Sequence, residues 1–168
     1  MKYFEYLPKF EYSDVAATNI MVRAKIREFV LTNASVYYKH RIEDGQRPDI
    51  LSSEYYGNSN YTWLIFYANN IYDPFFDWPL TSEQLVAHVI NKYGSLEVSH
   101  QTIHHYLMDS EFVVDLRTIT EDQIPISSVK AVSVFENEMN LNEAKRDIVI
   151  IDQAYVKQIV NEMQRLFE

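Results

Sequence analysis

The sequence predicts an α+β fold, one small domain with an N-terminal arm and a C-terminal helix. Three observations point there. Runs of β-branched and aromatic residues alternate with segments of helical periodicity, and each is bounded by a cap or a breaker. Residues 44–94 form an aromatic block in which Tyr55, Tyr56, Tyr61, Trp63, Phe66, Tyr67, Tyr72, Phe75, Phe76 and Trp78 fall within 24 residues. The protein's three glycines, Gly45, Gly57 and Gly94, punctuate that block. With 168 residues, 47% of them hydrophobic, the chain is long enough to bury a core.

Residues 1–12 alternate aromatic and polar side chains, broken at Pro8, and are too short to fold alone. They read as an extended arm that lies either on the body of the protein or on a partner. A helix is expected over 14–31, capped by Ser13 or Asp14. Val36–Ile42 reads as a strand, and Asp44–Gly45 as a turn. Pro48 suits the first turn of a short helix running to Tyr55 and stopped at Gly57. A second helix is expected over 61–69, broken by Asn69, Asn70 and the Asp73–Pro74 pair. Pro79–Leu80 begins either a return strand or an irregular crossing. Thr81 and Gln84 form a capping box for a helix that Gly94 closes. Beyond it, Thr102–Met108 and Glu111–Leu116 read as a hairpin turning at Asp109–Ser110. Val129–Phe135 reads as a strand, Glu136–Lys145 as helix or loop, and Ile148–Ile151 as a short strand. Asp152 caps a final helix whose apolar stripe includes Val156, Ile159, Val160, Met163 and Phe167. The expected divisions are 1–35 (arm and helix), 36–95 (aromatic module) and 96–168 (hairpin, strands and terminal helix).

Composition excludes several function classes. The net charge of −9 repels phosphate backbones, so nucleic acid is not an expected partner. Arg23, Lys25 and Arg27 form the densest basic cluster, and their alternation with apolar residues reads as a solvated face. Without cysteine there is neither a disulfide framework nor a thiolate metal site. The opening MKYFEYLPKFEY lacks the apolar core of a signal peptide, and no window is apolar enough to span a membrane.

Candidate chemistry is sparse. His100 and His104 would share a helical face at a zinc-binding spacing, but no HExxH pattern or third ligand accompanies them. Thr102, Ile103 and Tyr106 favour a strand there, so no metal is expected. Asp73 and Asp77 flank Pro74–Phe76 and could be read as a paired-carboxylate site, yet Asp-Pro is a common turn. The Asp44–Pro48 segment is no phosphate loop, and no serine sits in a nucleophile elbow. No enzyme activity and no cofactor is expected. Trp63, Tyr56 and Phe66 are expected in a core, each aromatic hiding about 150–250 Å². Phe75, Phe76 and Trp78 look surplus to that core and face either another part of the chain or a partner.

The order strand, Asp-Gly turn, short helix ending in Tyr-Gly, second helix opening near Trp resembles a LysM domain, a βααβ module. The matching residues are Asp44, Gly45, Ile50, Tyr56, Gly57, Trp63, Ile65 and Asn70. The run NNIYDPFFDWPLTSEQL, the opening YFEYLPKFEY with NIMVR, DGQRPDI, His104–Tyr106 and NEAKRDIVIID together resemble the LysM-like baseplate wedge proteins of contractile-tailed bacteriophages. That resemblance implies a structural, non-catalytic subunit in the virion tail baseplate, assembled in the host cytoplasm. It would be present in several copies around the tail axis. Its partners would be other wedge subunits and proteins near the tube and sheath. The alternative is a LysM module that binds peptidoglycan or related glycans; Gln46-Arg47-Pro48 departs from the small hydroxyl-bearing residues of sugar-binding members. Candidate interface residues are Tyr3, Phe4 and Tyr6 in the arm, Phe75, Phe76 and Trp78 in the loop, and Tyr155, Ile159, Met163 and Phe167 on the last helix. The stripe of that helix packs either within the chain, on Val129–Phe135 and Ile148–Ile151, or partly on a neighbouring subunit.

Overall fold

The computed structural model describes residues 3–5, 7–22, 36–108, 112–115, 119 and 129–167, without the side chains of Tyr3, Gln164, Leu166 and Phe167. Over these residues the fold is α+β. The chain forms two compact units, residues 1–78 with 147–168, and residues 79–146. Those units do not follow boundaries at 35/36 and 95/96, because a strand near residue 40 finds its partner near residue 150.

The first unit begins with a hairpin. Strand β1, Lys9–Tyr12, pairs antiparallel with β2, Val15–Thr18, with Tyr12 opposite Val15. This corrects the helix expected from residue 14. Ser13 and Asp14 both take positive φ, 49° and 63°, the geometry of a two-residue turn whose twist matches the flanking strands. They reverse the chain and do not cap a helix. The remainder of that expected helix, with the basic cluster, lies in 23–35, outside the described residues.

The body of this unit is a strand–helix–helix–strand arrangement. Strand β3, Tyr37–Arg41, leads through a turn in which Gly45 takes φ 77° to helix α1, Pro48–Tyr56. Gly57 ends α1 in the left-handed conformation at φ 72°, which a side chain would strain. Helix α2 is Thr62–Ala68, followed by the one-turn helix α3, Pro74–Asp77. The return strand is not at Pro79–Leu80, which is irregular. It is Asp147–Ile151, which we label β7 because three strands of the second unit precede it. β7 pairs antiparallel with β3, Tyr37 opposite Ile151 and Arg41 opposite Asp147. The terminal helix of the chain, Gln153–Phe167, is capped by Asp152 Oδ1, which accepts the Ala154 N–H at 2.8 Å.

The alternation of β7 feeds two apolar clusters. Ile148 and Ile150 pack with Ile42, Leu51, Ile65 and Trp78. Ile151 packs with Val36, Trp63, Leu64, Ala68 and the terminal helix's Val156, Val160 and Met163. Each of the buried Val, Leu, Ile and Met side chains contributes about 1.5–3 kcal/mol of transfer free energy. The terminal stripe is thus covered by α2, β7 and Val36 of its own unit. Among the described residues β7 pairs with no strand besides β3, and Asn69 closes its other side: its Oδ1 accepts the Val149 N–H and its Nδ2 donates to the Val149 carbonyl, both at 2.8 Å.

In the second unit, helix α4 is Ser82–Tyr93, opened by the reciprocal Thr81–Gln84 capping box and closed at Gly94. Helix α5, Leu96–Gln101, follows; its signal in the sequence is Ser95, whose Oγ accepts the Val98 N–H. Strand β4, Ile103–Met108, is central to a three-stranded antiparallel sheet between β5, Phe112–Val114, and β6, Val129–Ser133. The turn expected at Asp109–Ser110 lies outside the described residues. Val134 and Phe135 are not strand: Ser133 Oγ accepts the Glu136 N–H and opens helix α6, Val134–Ala144. Glu136–Ala144, open in the sequence between helix and loop, is therefore helix; we label the terminal helix α7.

Candidate docking surface

The loop from Asn69 to Trp78 sorts its aromatic side chains into two environments. Trp78 points inward. It is 9% exposed, meets Phe66 edge to face at 6.2 Å between ring centres, and its indole N–H donates to the Gln46 carbonyl at 2.9 Å. Phe75 and Phe76 point outward, 86% and 75% exposed. Trp78 is therefore covered by its own unit, and Phe75 and Phe76, with Tyr72 beside them at 59% exposure, are the aromatic side chains this loop offers to solvent.

The turn that presents them is braced from both ends. Asp73 Oδ1 accepts the Phe75 N–H at 3.0 Å, and Asp77 Oδ2 accepts the N–H groups of Tyr72 and Asp73, each at 3.0 Å. Pro74 opens the single helical turn, where its missing N–H costs nothing. The paired carboxylates are thus engaged with backbone amides, which is the turn reading of Asp73 and Asp77. A local network of this kind fixes where the rings stand, and rigid exposed aromatics lose little conformational freedom on binding.

A second apolar surface belongs to the N-terminal hairpin. Phe10, Tyr12 and Val15 are exposed, as are Phe4, Ile20 and Met21 in the flanking residues. Two strands with solvated faces are marginal in water without a covering element. Tyr6 lies outside the described residues, and the side chain of Tyr3 is not described. On α7, Met163 is buried, while Tyr155 and Ile159 are half-buried against the cluster around Trp63.

The residues of the βααβ-like pattern have separate local tasks. Gly45 and Gly57 supply positive φ, and Trp63 is core. The Tyr56 hydroxyl donates to the Ile151 carbonyl at 3.0 Å, and burial pushes its pKa up. Ile50 is half-exposed. Asn70 adopts φ 53° in the turn, whereas its neighbour Asn69 clasps β7; the sequence pattern pointed one residue too far. Arg47, at the position where the segment departs from sugar-binding modules, grips Asp49 through Nε at 3.1 Å and Nη2 at 2.8 Å.

The three histidines do not converge. His100 lies on α5 with its ring 4.2 Å from Phe135, and His104 and His105 are strand neighbours with their Nδ1 atoms 2.8 Å apart. Among the described residues no group of three His, Asp or Glu side chains could hold a metal ion. Among the same residues no helix is long and apolar enough to cross a membrane.

Comparison with known proteins identifies the family. Residues 3–127 match the family model described as base plate wedge protein 53. The chain belongs to that family. It is a structural protein of a bacteriophage baseplate wedge. Among its relatives is the baseplate wedge protein gp53 of Enterobacteria phage T4, 25% identical over 143 residues, which cover 76% of this chain and 71% of that protein. The family match over residues 3–127 includes the hairpin, the braced Asp73–Asp77 turn and all of the aromatic block.

Proposed function

We propose that this chain is a non-catalytic connector, one that joins neighbouring wedge proteins and tube- or sheath-proximal proteins of the baseplate by docking through exposed aromatic side chains. The observation that carries this reading is the braced turn holding Phe75 and Phe76 in solvent while Trp78, two residues further on, is buried. Apolar rings fixed outside the core are a latent hot spot, and such anchors commonly contribute on the order of 2 kcal/mol or more to an interface. The β3–α1–α2–β7 arrangement supports reading residues 36–78 with 147–151 as a LysM-like module adapted to protein docking. The hairpin with Phe10 and Tyr12 is a second contact, and α7 contributes through Tyr155 and Ile159. Several copies around the tail axis, assembled in the host cytoplasm, complete the reading.

The test is wedge reconstitution with a Phe75→Ser, Phe76→Ser double variant. It is expected to fold with an unchanged melting temperature and to fail to join its neighbours. Incorporation at the wild-type level would overturn the docking role of this turn. Glycan binding is the competing reading from the resemblance. Arg47, tied to Asp49, replaces the small polar residues that role uses, so titration with peptidoglycan fragments is expected to give no saturable binding.

A further inference from the structure

On the first unit, away from the Phe75 turn in sequence, Tyr38, Tyr55, Asp152 and Gln153 line a shallow open cleft. Its parts come from three elements. Tyr38 stands on β3, Tyr55 at the end of α1, and Asp152 and Gln153 at the start of α7. The rings are held in place. Tyr38 meets Tyr55 edge to face at 6.3 Å, Tyr55 meets Tyr56 at 5.0 Å, and Tyr56 is bonded to Ile151 in the core. The Gln153 side chain donates to the Tyr55 carbonyl, which ties the helix start to the end of α1.

The carboxylate that lines this cleft is held by neutral donors. Asp152 Oδ1 accepts the Ala154 N–H at 2.8 Å and Oδ2 accepts the Tyr38 hydroxyl at 2.8 Å. Among the described residues no cationic side chain pairs with it. Five carboxylates are paired, Asp147 with Arg41, Asp49 with Arg47, Glu136 with Lys130, Glu138 with Lys92 and Glu143 with Arg146, whereas Asp152, like Asp73, is bonded to neutral donors, and it differs from Asp73 in standing in a cleft beside two tyrosine rings. Both neutral donors favour the ionised form, so the carboxyl is held below its ordinary range, the Ala154 amide acting most and Tyr38 next. A carboxylate offers about four lone-pair positions, and two remain open.

We propose that this cleft is a socket for a cationic side chain, arginine above all, presented by a neighbouring baseplate protein. This rests on the docking reading and adds the chemistry of one contact. A guanidinium fits for two reasons: its planar fork can reach both Asp152 oxygens, and its face can lie on the Tyr38 or Tyr55 ring. The positive end of α7 opposes a cation with about half a charge, but Asp152 caps that end and carries a full negative charge. The net charge of −9 further favours a basic partner.

The test is an amide-shift NMR titration of the full chain with an acetyl-Gly-Arg-Gly amide peptide, run beside the same peptide with neutral citrulline for arginine. Shifts are expected to concentrate at Tyr38, Tyr55, Asp152 and Gln153, and binding to weaken about fivefold with citrulline or in Asp152→Asn, the scale of one ion pair. Asparagine is as good a cap as aspartate, so the variant retains α7, which its remaining spectrum verifies. Equal shifts from the two peptides, an unchanged titration in Asp152→Asn, or shifts scattered over the acidic surface would each overturn the socket. None of those outcomes touches the Phe75 turn, whose own reconstitution assay reports on the docking role separately.

Discussion

The two compact units bury different chemistry. In the first, the interior is apolar apart from Ser52, whose hydroxyl donates to the Asn58 carbonyl: Ile42, Leu64, Ile65, Ile150 and Ile151 are each almost fully hidden, and both apolar clusters belong to it. In the second, Leu85, Val89, Val132 and Val134 are buried together with Glu138, Asn142 and Arg146, a polar series spaced by four along and just beyond α6. Each member is answered. Glu138 Oε1 accepts from Lys92 at 2.7 Å and from the Tyr93 hydroxyl at 2.8 Å, and His88 stands 3.6 Å from Oε2. Asn142 accepts the Leu80 N–H at 2.7 Å and donates to the Leu80 carbonyl at 3.0 Å. Arg146 Nε donates to Glu143 at 2.7 Å. The lesson is that one unit is held by area removed from water, which is insensitive to pH. The other is held partly by a buried network whose members cost free energy when orphaned.

The largest effect is expected from removing bulk in the first unit. Trp78→Ala deletes a buried ring and orphans the Gln46 carbonyl, so a loss of about 3–5 kcal/mol is expected, read as a lowered urea midpoint. A near-neutral result would mean that this cluster does not carry the unit. In the second unit, Glu138→Ala leaves Lys92 and Tyr93 without their acceptor. A loss of about 1–3 kcal/mol is expected by the same measurement.

The pH dependence sharpens the contrast. Burial pushes the Glu138 carboxyl up, but the hydrogen bonds from Lys92 and Tyr93 and the charges of Lys92 and His88 outweigh it, and the net shift is downward. A depressed carboxyl contributes stability that is present above its unfolded value, about 4.3, and is lost as pH falls through its folded value. Lys92 is shifted upward, first by its bond to Glu138, so its contribution holds below its unfolded value of about 10.4 and fades as pH rises beyond it. Urea midpoints of the wild type should therefore fall in acid. Glu138→Gln should make that acid limb shallower, with Asp152 of the first unit supplying part of what remains, and a limb as steep as the wild type's would remove Glu138 as a source. The smallest stability effect is expected at the surface: Phe75→Ser should stay within about 0.5 kcal/mol of wild type while lowering assembly. A destabilisation as large as that of Trp78→Ala would place Phe75 in the core after all.

The sequence by itself determined the elements whose signals are local. Pro48 and Gly57 bound α1, Thr81 with Gln84 opens α4, and Asp152 caps α7, because a cap or a positive φ is satisfied within a few residues. The aromatic block was legible as a source of both core and surface. Local signals also misled: Ser13 and Asp14 have the composition of a helix cap and of a hairpin turn, and only pairing with Lys9–Tyr12 selects the turn. Val134 and Phe135 carry strand propensity, yet the Ser133 cap takes them into a helix. Tertiary structure alone decided the rest. The partner of Tyr37–Arg41 lies 106 residues beyond Arg41, at Asp147, a distance over which no sequence period operates. The turn at Asp73–Asp77 separates Trp78, which reaches the Gln46 carbonyl, from Phe75 and Phe76, which do not. Their composition is alike; which ring is inside depends on where a distant backbone acceptor and an apolar cluster lie, and that is a property of the folded chain.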